Sequence, residues 1–168
     1  VVFEGIEGCG KSYQSKKLKR NLLNIGIKTV LTREPGGTKT AELIRSLILK
    51  DYFNKDTKNK FDKYTDTLLY LASRNEHIVN KIKPALKKKE IVICDRFTDS
   101  TLAYQVYGKK IDKKFIDHIH KYILQGIKPD VTFILKVSST SSRKRLKKRK
   151  TKNRYDNFAQ SFYSKAQK

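Results

Sequence analysis

The chain has 168 residues, of which 38% are hydrophobic and 33% are charged. This length and balance are typical of one globular domain, and no apolar run approaches the roughly 18 residues of a membrane span. No signal-peptide pattern opens the sequence, and Cys9 and Cys94 lack metal-ligand spacing. We therefore expect a cytoplasmic protein with reduced thiols, no zinc site and no membrane partner.

Lysine and arginine outnumber the acidic residues and give a formal net charge of +23. Such a charge is common among nucleic-acid-binding proteins, whose affinity comes from neutralised phosphates. The lysines are nevertheless spread along the whole chain, often beside asparagine and isoleucine. This distribution favours a general compositional bias with solvated lysine faces, so we expect no nucleic-acid partner.

The sequence begins VVFEGIEGCGKS, an apolar run followed by a full match to G-x-x-x-x-G-K-[ST]. The apolar run predicts a buried strand, and glycines allow positive φ angles that turn successive N–H groups toward a polyphosphate. We expect Lys11 to face solvent and to supply positive charge for the β- and γ-phosphates, and Ser12 to supply a hydroxyl for Mg²⁺. The helix that starts near Lys11 adds its positive dipole end. The pattern predicts a nucleotide-phosphate site, the P-loop, formed by Gly5, Ile6, Glu7, Gly8, Cys9, Gly10, Lys11 and Ser12.

Helical and strand patterns alternate along the rest of the chain. The predicted helices cover residues 12–25, 38–49, 65–83, 99–107 and 112–124, and the predicted strands cover residues 27–32, 91–95 and 131–137. Gly26 and Gly126 are placed to end helices, Thr38 to cap one, and Pro84 to kink or end one. Residues 51–63 read as a polar, lysine-rich connection. Alternating strands and helices predict an α/β fold with a parallel sheet covered on both faces.

Two further stretches contain candidate functional residues. The apolar run IVICD ends in Asp95, at the place where P-loop proteins carry a magnesium-ordering carboxylate. The alternative is that Asp95 only caps the next turn. Residues 143–154 are densely basic and read as a solvated basic helix, as a nucleic-acid patch beside Tyr155 and Phe158, or as a cationic lid over a polyphosphate.

The motifs FEGIEGCGKS, TREPGGTKTAELIR, LLYLASR, CDRFTDSTLAYQ, KPDVTFIL and RKTKNRYD together resemble thymidylate kinase of the bacterial type, over essentially the whole chain. The resemblance implies one P-loop NTPase domain, a sheet of order 2-3-1-4-5, a lid at about residues 141–156 and a homodimer. It implies transfer of the γ-phosphoryl group of ATP to dTMP, with Mg²⁺, to give dTDP for dTTP biosynthesis. The family continues past residue 168, so we expect the fifth strand beyond it and a sequence incomplete at both ends.

The resemblance also implies roles for individual residues. Glu7 matches an acidic position near the sugar 3′-hydroxyl and the metal, and Tyr104 a residue beside the deoxyribose. Tyr70 matches an aromatic that stacks on thymine, Arg74 an arginine that contacts the base, and Arg96 the arginine that holds the dTMP phosphate. The implied substrate-binding residues are Glu7, Arg45, Tyr70, Arg74, Arg96, Thr101 and Tyr104, and the implied metal ligands are Ser12 and Asp95.

The P-loop lacks the arginine that some family members place there. Members without it supply a catalytic arginine from the lid, and Arg149 and Arg154 hold the matching positions, which gives the catalytic set Lys11, Arg96, Arg149 and Arg154. Lys136 and Asn153 depart from aspartates that are common in the family. Another nucleoside monophosphate kinase remains an alternative, and a basic nucleic-acid-binding P-loop ATPase is a further one, although no base-reading motif is present.

Overall fold

The computed structural model describes residues 1–49 and 61–148. Within these ranges, four parallel strands form one sheet in the spatial order β2-β3-β1-β4. The strands are β1 (Val2–Glu4), β2 (Thr29–Arg33), β3 (Ile91–Asp95) and β4 (Thr132–Ile134). This order matches the predicted 2-3-1-4, whereas the predicted fifth strand lies outside the described residues.

Seven α-helices are described, and two of them continue as π-helices. The α-helices are α1 (Lys11–Asn24), α2 (Lys39–Leu49), α3 (Lys63–His77), α4 (Lys83–Lys87), α5 (Thr98–Thr101), α6 (Lys113–Leu124) and α7 (Ser139–Lys147). The π-helices are Ile78–Ile82, between α3 and α4, and Leu102–Gly108, after α5. No helix in the described ranges is both long enough and apolar enough to cross a membrane.

The sheet is covered on both faces, as the alternation of elements predicts. Val92, Ile93 and Cys94 follow one another along β3, so their side chains point to alternate faces. All three are buried, with exposed fractions of 9%, 0% and 2%. Val92 and Cys94 pack against Ile78 and Ile82 of the first π-helix, while α1 contacts β1, β2 and β3.

Two predicted helix ends are supported by local contacts. Thr38 Oγ1 accepts a hydrogen bond from the Ala41 N–H at 3.2 Å, which caps the start of α2 as predicted. After α1, Gly26 has a φ of 79°, a left-handed conformation that glycine adopts without strain. The predicted strand over residues 131–137 is shorter in the structure, where β4 covers Thr132–Ile134.

Pro84 does not end its helix, contrary to one of the two predicted outcomes. Helical structure runs from α3 through Ile78–Ile82 into α4, with Pro84 in the first turn of α4. Proline lacks an N–H and its ring collides with the carbonyl four residues before it in an α-helix. The wider π-helical turn immediately before Pro84 accommodates both features.

Candidate active site

A cleft with a volume of about 870 Å³ lies at the carboxyl ends of β1, β2 and β3. The described side chains that line it include seven basic and three acidic residues, which favours an anionic ligand. Every residue implied to bind substrate or metal lines this cleft, as do six of the eight predicted P-loop residues. Gly5 and Ile6 do not line it. The topology therefore brings separate sequence motifs together at one sheet edge.

The P-loop is held in a conformation that depends on glycine. Gly5, Gly8 and Gly10 have φ angles of 140°, 72° and 104°, and Gly10 directly precedes α1. A β-carbon at Gly5 would lie 2.5 Å from the Leu135 carbonyl oxygen, so the loop also passes too close to the segment after β4 for a side chain. Lys11 and Ser12, the first two residues of α1, line the cleft, so the positive dipole end of this helix borders it.

Lys11 is buried, which corrects the expectation that it faces solvent. Its exposed fraction is 7%, and its Nζ donates hydrogen bonds to the carbonyl oxygens of Gly5 at 3.0 Å and Ile6 at 2.9 Å. Burial and the nearby Arg96 guanidinium lower the pKa of Lys11, although Cys9, Asp95 and Glu7 oppose the shift. The loop therefore folds around the ammonium group and holds its charge beside the cleft.

Ser12 and Asp95, the two implied metal ligands, are in contact at the cleft. Ser12 Oγ donates a hydrogen bond to Asp95 Oδ2 at 2.6 Å, although the residues are 83 positions apart in sequence. A hydroxyl and a carboxylate are oxygen ligands of the kind that Mg²⁺ prefers, with its remaining positions filled by phosphate oxygens and water. No cluster of three or more histidine, cysteine, aspartate or glutamate side chains that could hold a metal ion occurs in residues 1–49 and 61–148.

Glu7, Arg96 and Tyr104 form a tight cluster. Arg96 Nη2 donates to Glu7 Oε1 at 2.8 Å, Tyr104 Oη donates to Glu7 Oε2 at 2.7 Å, and the Arg96 guanidinium lies 5.1 Å from the centre of the Tyr104 ring. Burial raises the pKa of Glu7, but Arg96 and Lys11 outweigh it and the pKa is lowered. Burial lowers the pKa of Arg96, but Tyr104, Glu7 and other acidic neighbours raise it well above its ordinary value. Both groups are therefore charged near neutral pH.

Glu4 supports this cluster, and the sequence reasoning missed it. Its Oε1 accepts hydrogen bonds from the N–H groups of Phe97 at 2.8 Å and Ser100 at 3.2 Å, and its Oε2 accepts from Ser100 Oγ at 2.6 Å. Ser100 Oγ in turn accepts from Arg96 Nη1 at 3.0 Å. Burial raises the pKa of Glu4 against the effect of Arg96 and these hydrogen bonds. The only sequence signal was a carboxylate at the end of an apolar strand.

The cleft is also lined by Arg45, Tyr70, Arg74 and Thr101. Arg45 Nη1 donates to the Pro35 carbonyl oxygen at 2.6 Å. Arg74 is 4% exposed and donates to Glu34, Thr101, His120 and the Phe97 carbonyl oxygen. Its role toward a base stays a prediction, because its guanidinium is already bound by protein groups.

Gln105 is a cleft residue that the sequence reasoning did not single out. It is 2% exposed, and its Nε2 is the only buried side-chain nitrogen or oxygen in the described part of the chain that lacks a hydrogen-bond partner. An unpaired buried amide costs free energy, so this group at the cleft is a candidate for a ligand contact. The sequence carried no signal for it, since glutamine on a helix is usually a surface residue.

The basic segment contacts the P-loop through one face of α7. Ser142 Oγ donates to the Glu7 carbonyl oxygen at 2.7 Å, and Arg145 Nη1 donates to the Gly8 carbonyl oxygen at 3.1 Å. Arg145 was not among the predicted site residues. Arg149 and Arg154, which were, lie outside the described residues.

Stability should fall in mild acid because of His120. Burial and the Arg74 guanidinium lower the pKa of His120 to about 4, against about 6.5 in an unfolded chain. The unfolded state therefore binds the proton more tightly, so this stabilising contribution is present above pH 6.5 and is lost as the pH falls toward 4. Thermal melts from pH 7 to pH 4 should show a smaller loss for His120→Gln than for the wild type. His118→Gln, an exposed position on the same helix, should follow the wild type; equal curves for all three would contradict the prediction.

Three comparisons with known proteins all find similarity to thymidylate kinases. A family model described as thymidylate kinase matches residues 3–168. A thymidylate kinase of Mycoplasma capricolum is 42% identical over 170 residues, covering 97% of this chain and 77% of that protein. A thymidylate kinase of Wolbachia from Brugia malayi is 43% identical over 171 residues, covering 100% of this chain and 77% of that protein. The crystal structure of thymidylate kinase from Ehrlichia chaffeensis, 44% identical, superposes with a TM-score of 0.71 over 86% of this chain and 74% of that one.

Proposed function

The chain belongs to the thymidylate kinase family, and we propose that this P-loop kinase converts dTMP to dTDP by taking the γ-phosphoryl group of ATP with Mg²⁺. One observation carries the proposal. Glu7, a residue of the P-loop, binds Arg96 at 2.8 Å, so a phosphate-donor site and a cationic acceptor site share one cleft. A kinase needs that adjacency because phosphoryl transfer depends mainly on positioning and charge compensation.

The donor site is the P-loop and the start of α1. The positive φ angles of Gly8 and Gly10 turn backbone N–H groups toward the cleft, where they suit phosphate oxygens. Lys11 places its charge beside the same loop. Ser12 and Asp95 would hold Mg²⁺, which supplies compensation for phosphate charge when bound.

The acceptor site is the wall formed by Arg96, Tyr104 and Tyr70. Arg96 presents a fork of N–H donors that suits a phosphate group, and Glu7 accepts hydrogen bonds from donors such as a sugar hydroxyl. Tyr70 offers an aromatic face to a base. The unpaired Gln105 amide donor is suited to a pyrimidine carbonyl oxygen.

Substituting Gln105 should weaken acceptor binding selectively. Gln105→Leu keeps the volume but removes the amide, so we expect KM for dTMP to rise about 10-fold with little change in KM for ATP. Tyr70→Ala should show the same selectivity, whereas Tyr122→Ala, at a 64% exposed tyrosine on α6, should change neither. Steady-state kinetics with each substrate varied in turn would measure this. Equal rises in KM for dTMP and for ATP would mean that Gln105 and Tyr70 stabilise the fold and do not bind the acceptor.

A coupled assay with ATP and each natural nucleoside monophosphate tests the whole proposal. We expect dTMP to be the best acceptor and dUMP a poorer one, because one methyl group in an apolar pocket is worth only about 1–3 kcal/mol. Preference for another monophosphate would assign a different kinase activity. ATP turnover that DNA stimulates and dTMP does not would overturn the proposal.

The proposal includes a homodimer in the cytoplasm. Exposed apolar side chains lie on two helices that pack together, Leu43 and Leu47 on α2 and Leu68 on α3, with exposed fractions of 69%, 42% and 47%. Val79, in the π-helix that continues α3, is 47% exposed. Exposed apolar residues on neighbouring helices are typical of a protein–protein interface. In the proposed homodimer, a second copy of this chain covers them.

A further inference from the structure

A chain of buried polar side chains runs from β2 to α6 and passes through Arg74. It joins Thr32, His77, Glu34, Arg74 and His120, all of which are less than 9% exposed. We propose that Glu34, His77 and His120 are positioning residues that hold the Arg74 guanidinium in one orientation on the acceptor side of the cleft. The inference rests on the proposed function, since it gives these residues a part in binding the acceptor nucleotide.

Arg74 is the member of the chain that borders the cleft. Its Nε donates to Glu34 Oε2 at 2.7 Å, and its Nη1 donates to His120 Nε2 at 2.8 Å, so two side chains on different elements fix the plane of the guanidinium. The guanidinium also lies 5.3 Å from the centre of the Phe97 ring. Contacts on several sides leave one rotamer for Arg74.

Glu34 is held in turn by His77. His77 Nδ1 lies 3.0 Å from Glu34 Oε1, and its Nε2 lies 2.6 Å from Thr32 Oγ1. A β-carbon at Gly37 would lie 2.5 Å from His77 Cδ2, so the backbone packs directly against the imidazole ring. His77 therefore has a single orientation, and it presents Nδ1 to the carboxylate that binds Arg74.

His120 can serve Arg74 only as an acceptor, because a guanidinium has only donors. Burial and Arg74 keep the ring neutral at pH 7, as its lowered pKa shows. The charged groups that act on it are Arg74 and Glu34 from other elements, and Asp117 and Lys113 from its own helix. Protonation would place an N–H against the guanidinium and remove the contact.

Stability alone is a weak explanation for this arrangement. A buried ion pair recovers little more than its desolvation cost, and apolar residues of similar volume are often as stabilising. The chain instead joins groups from β2, α3 and α6 at one wall of the cleft. Arg74 in turn donates to Thr101 Oγ1 and to the Phe97 carbonyl oxygen, and both residues line the cleft, so a fixed guanidinium holds this wall in place before a ligand binds, which is the benefit of preorganisation.

The kinetic test compares two histidines on α6. His120→Leu should raise KM for dTMP at least about 10-fold with a smaller change in kcat and none in KM for ATP, because it removes the acceptor for Arg74. His120→Gln, whose amide oxygen replaces Nε2, should restore most of the affinity, and His118→Leu should match the wild type. Unchanged KM for dTMP in a folded His120→Leu, or equal rises for both substrates, would overturn the inference. If His120→Leu does not fold, Glu34→Gln is judged by the same criteria.

A second readout needs no turnover. In a ¹⁵N spectrum, the Nε–H of Arg74 should give a slowly exchanging signal, identified by its loss in Arg74→Lys. That signal should shift in Glu34→Gln and in His120→Gln but not in His118→Leu. An unchanged signal would overturn the inference, whether or not the wild type phosphorylates dTMP. Failure of the proposed function would instead show as no dTDP from the wild type.

Discussion

Lys11→Met is expected to lower kcat for dTDP formation at least about 10³-fold while the protein stays folded. Lys11, the first residue of α1, carries the only positive charge within the P-loop residues 5–12. Methionine keeps most of the buried stem, so the packing of a residue that is 7% exposed should survive. The carbonyl oxygens of Gly5 and Ile6 lose a donor, and the melting temperature should fall modestly.

Circular dichroism and a dTDP-formation assay measure the two effects separately. Lys17→Met is the matched control, because Lys17 lies on α1 and is exposed. It should leave both the spectrum and the activity unchanged. Near-normal activity in a folded Lys11→Met would remove the assignment of residues 5–12 as a phosphate-binding loop.

The second large effect is expected in the basic segment. Arg149→Ala or Arg154→Ala should lower kcat at least about 10²-fold with little change in the affinity for dTMP. The P-loop contains no arginine, and four arginines that line the cleft already pair with carboxylates, namely Arg33, Arg45, Arg74 and Arg96. Charge on the transferring phosphoryl group therefore needs another cation, and a lid arginine can supply it when both nucleotides are bound.

Two described residues of the same segment, Lys147 and Arg145, provide comparison variants. Lys147 is exposed and does not line the cleft, so Lys147→Ala should cost little. Arg145 donates to the Gly8 carbonyl oxygen, so Arg145→Ala should raise KM for ATP by loosening the P-loop. Steady-state kinetics on the four variants measure kcat and both KM values. Similar small losses in all four would make the segment a diffuse electrostatic surface and place the catalytic arginine elsewhere.

Local sequence patterns predicted the parts of the site that are built from neighbouring residues. Spacing alone identified the P-loop, because the glycines, Lys11 and Ser12 act within one turn of chain. The apolar run IVICD predicted that Asp95 ends a strand, where P-loop proteins carry a magnesium-ordering carboxylate, and in the structure Asp95 ends β3 and accepts a hydrogen bond from Ser12 at 2.6 Å. Thr38 was recognisable as a cap, since capping depends on residues three positions apart.

The other parts of the site depend on contacts between residues that are far apart in sequence. The hydrophobic periodicity of the sequence carries no information about such contacts. Glu4, His77 and Gln105 have ordinary sequence surroundings, and their roles depend on which elements pack around them. The burial of Lys11 could not be read from its motif, because exposure is a property of the packed chain. Ser142 binds the carbonyl oxygen of Glu7 from 135 positions away. The partners of Glu4, His77 and Ser142 come from tertiary structure, because most buried polar groups are paired with whichever group the fold places beside them.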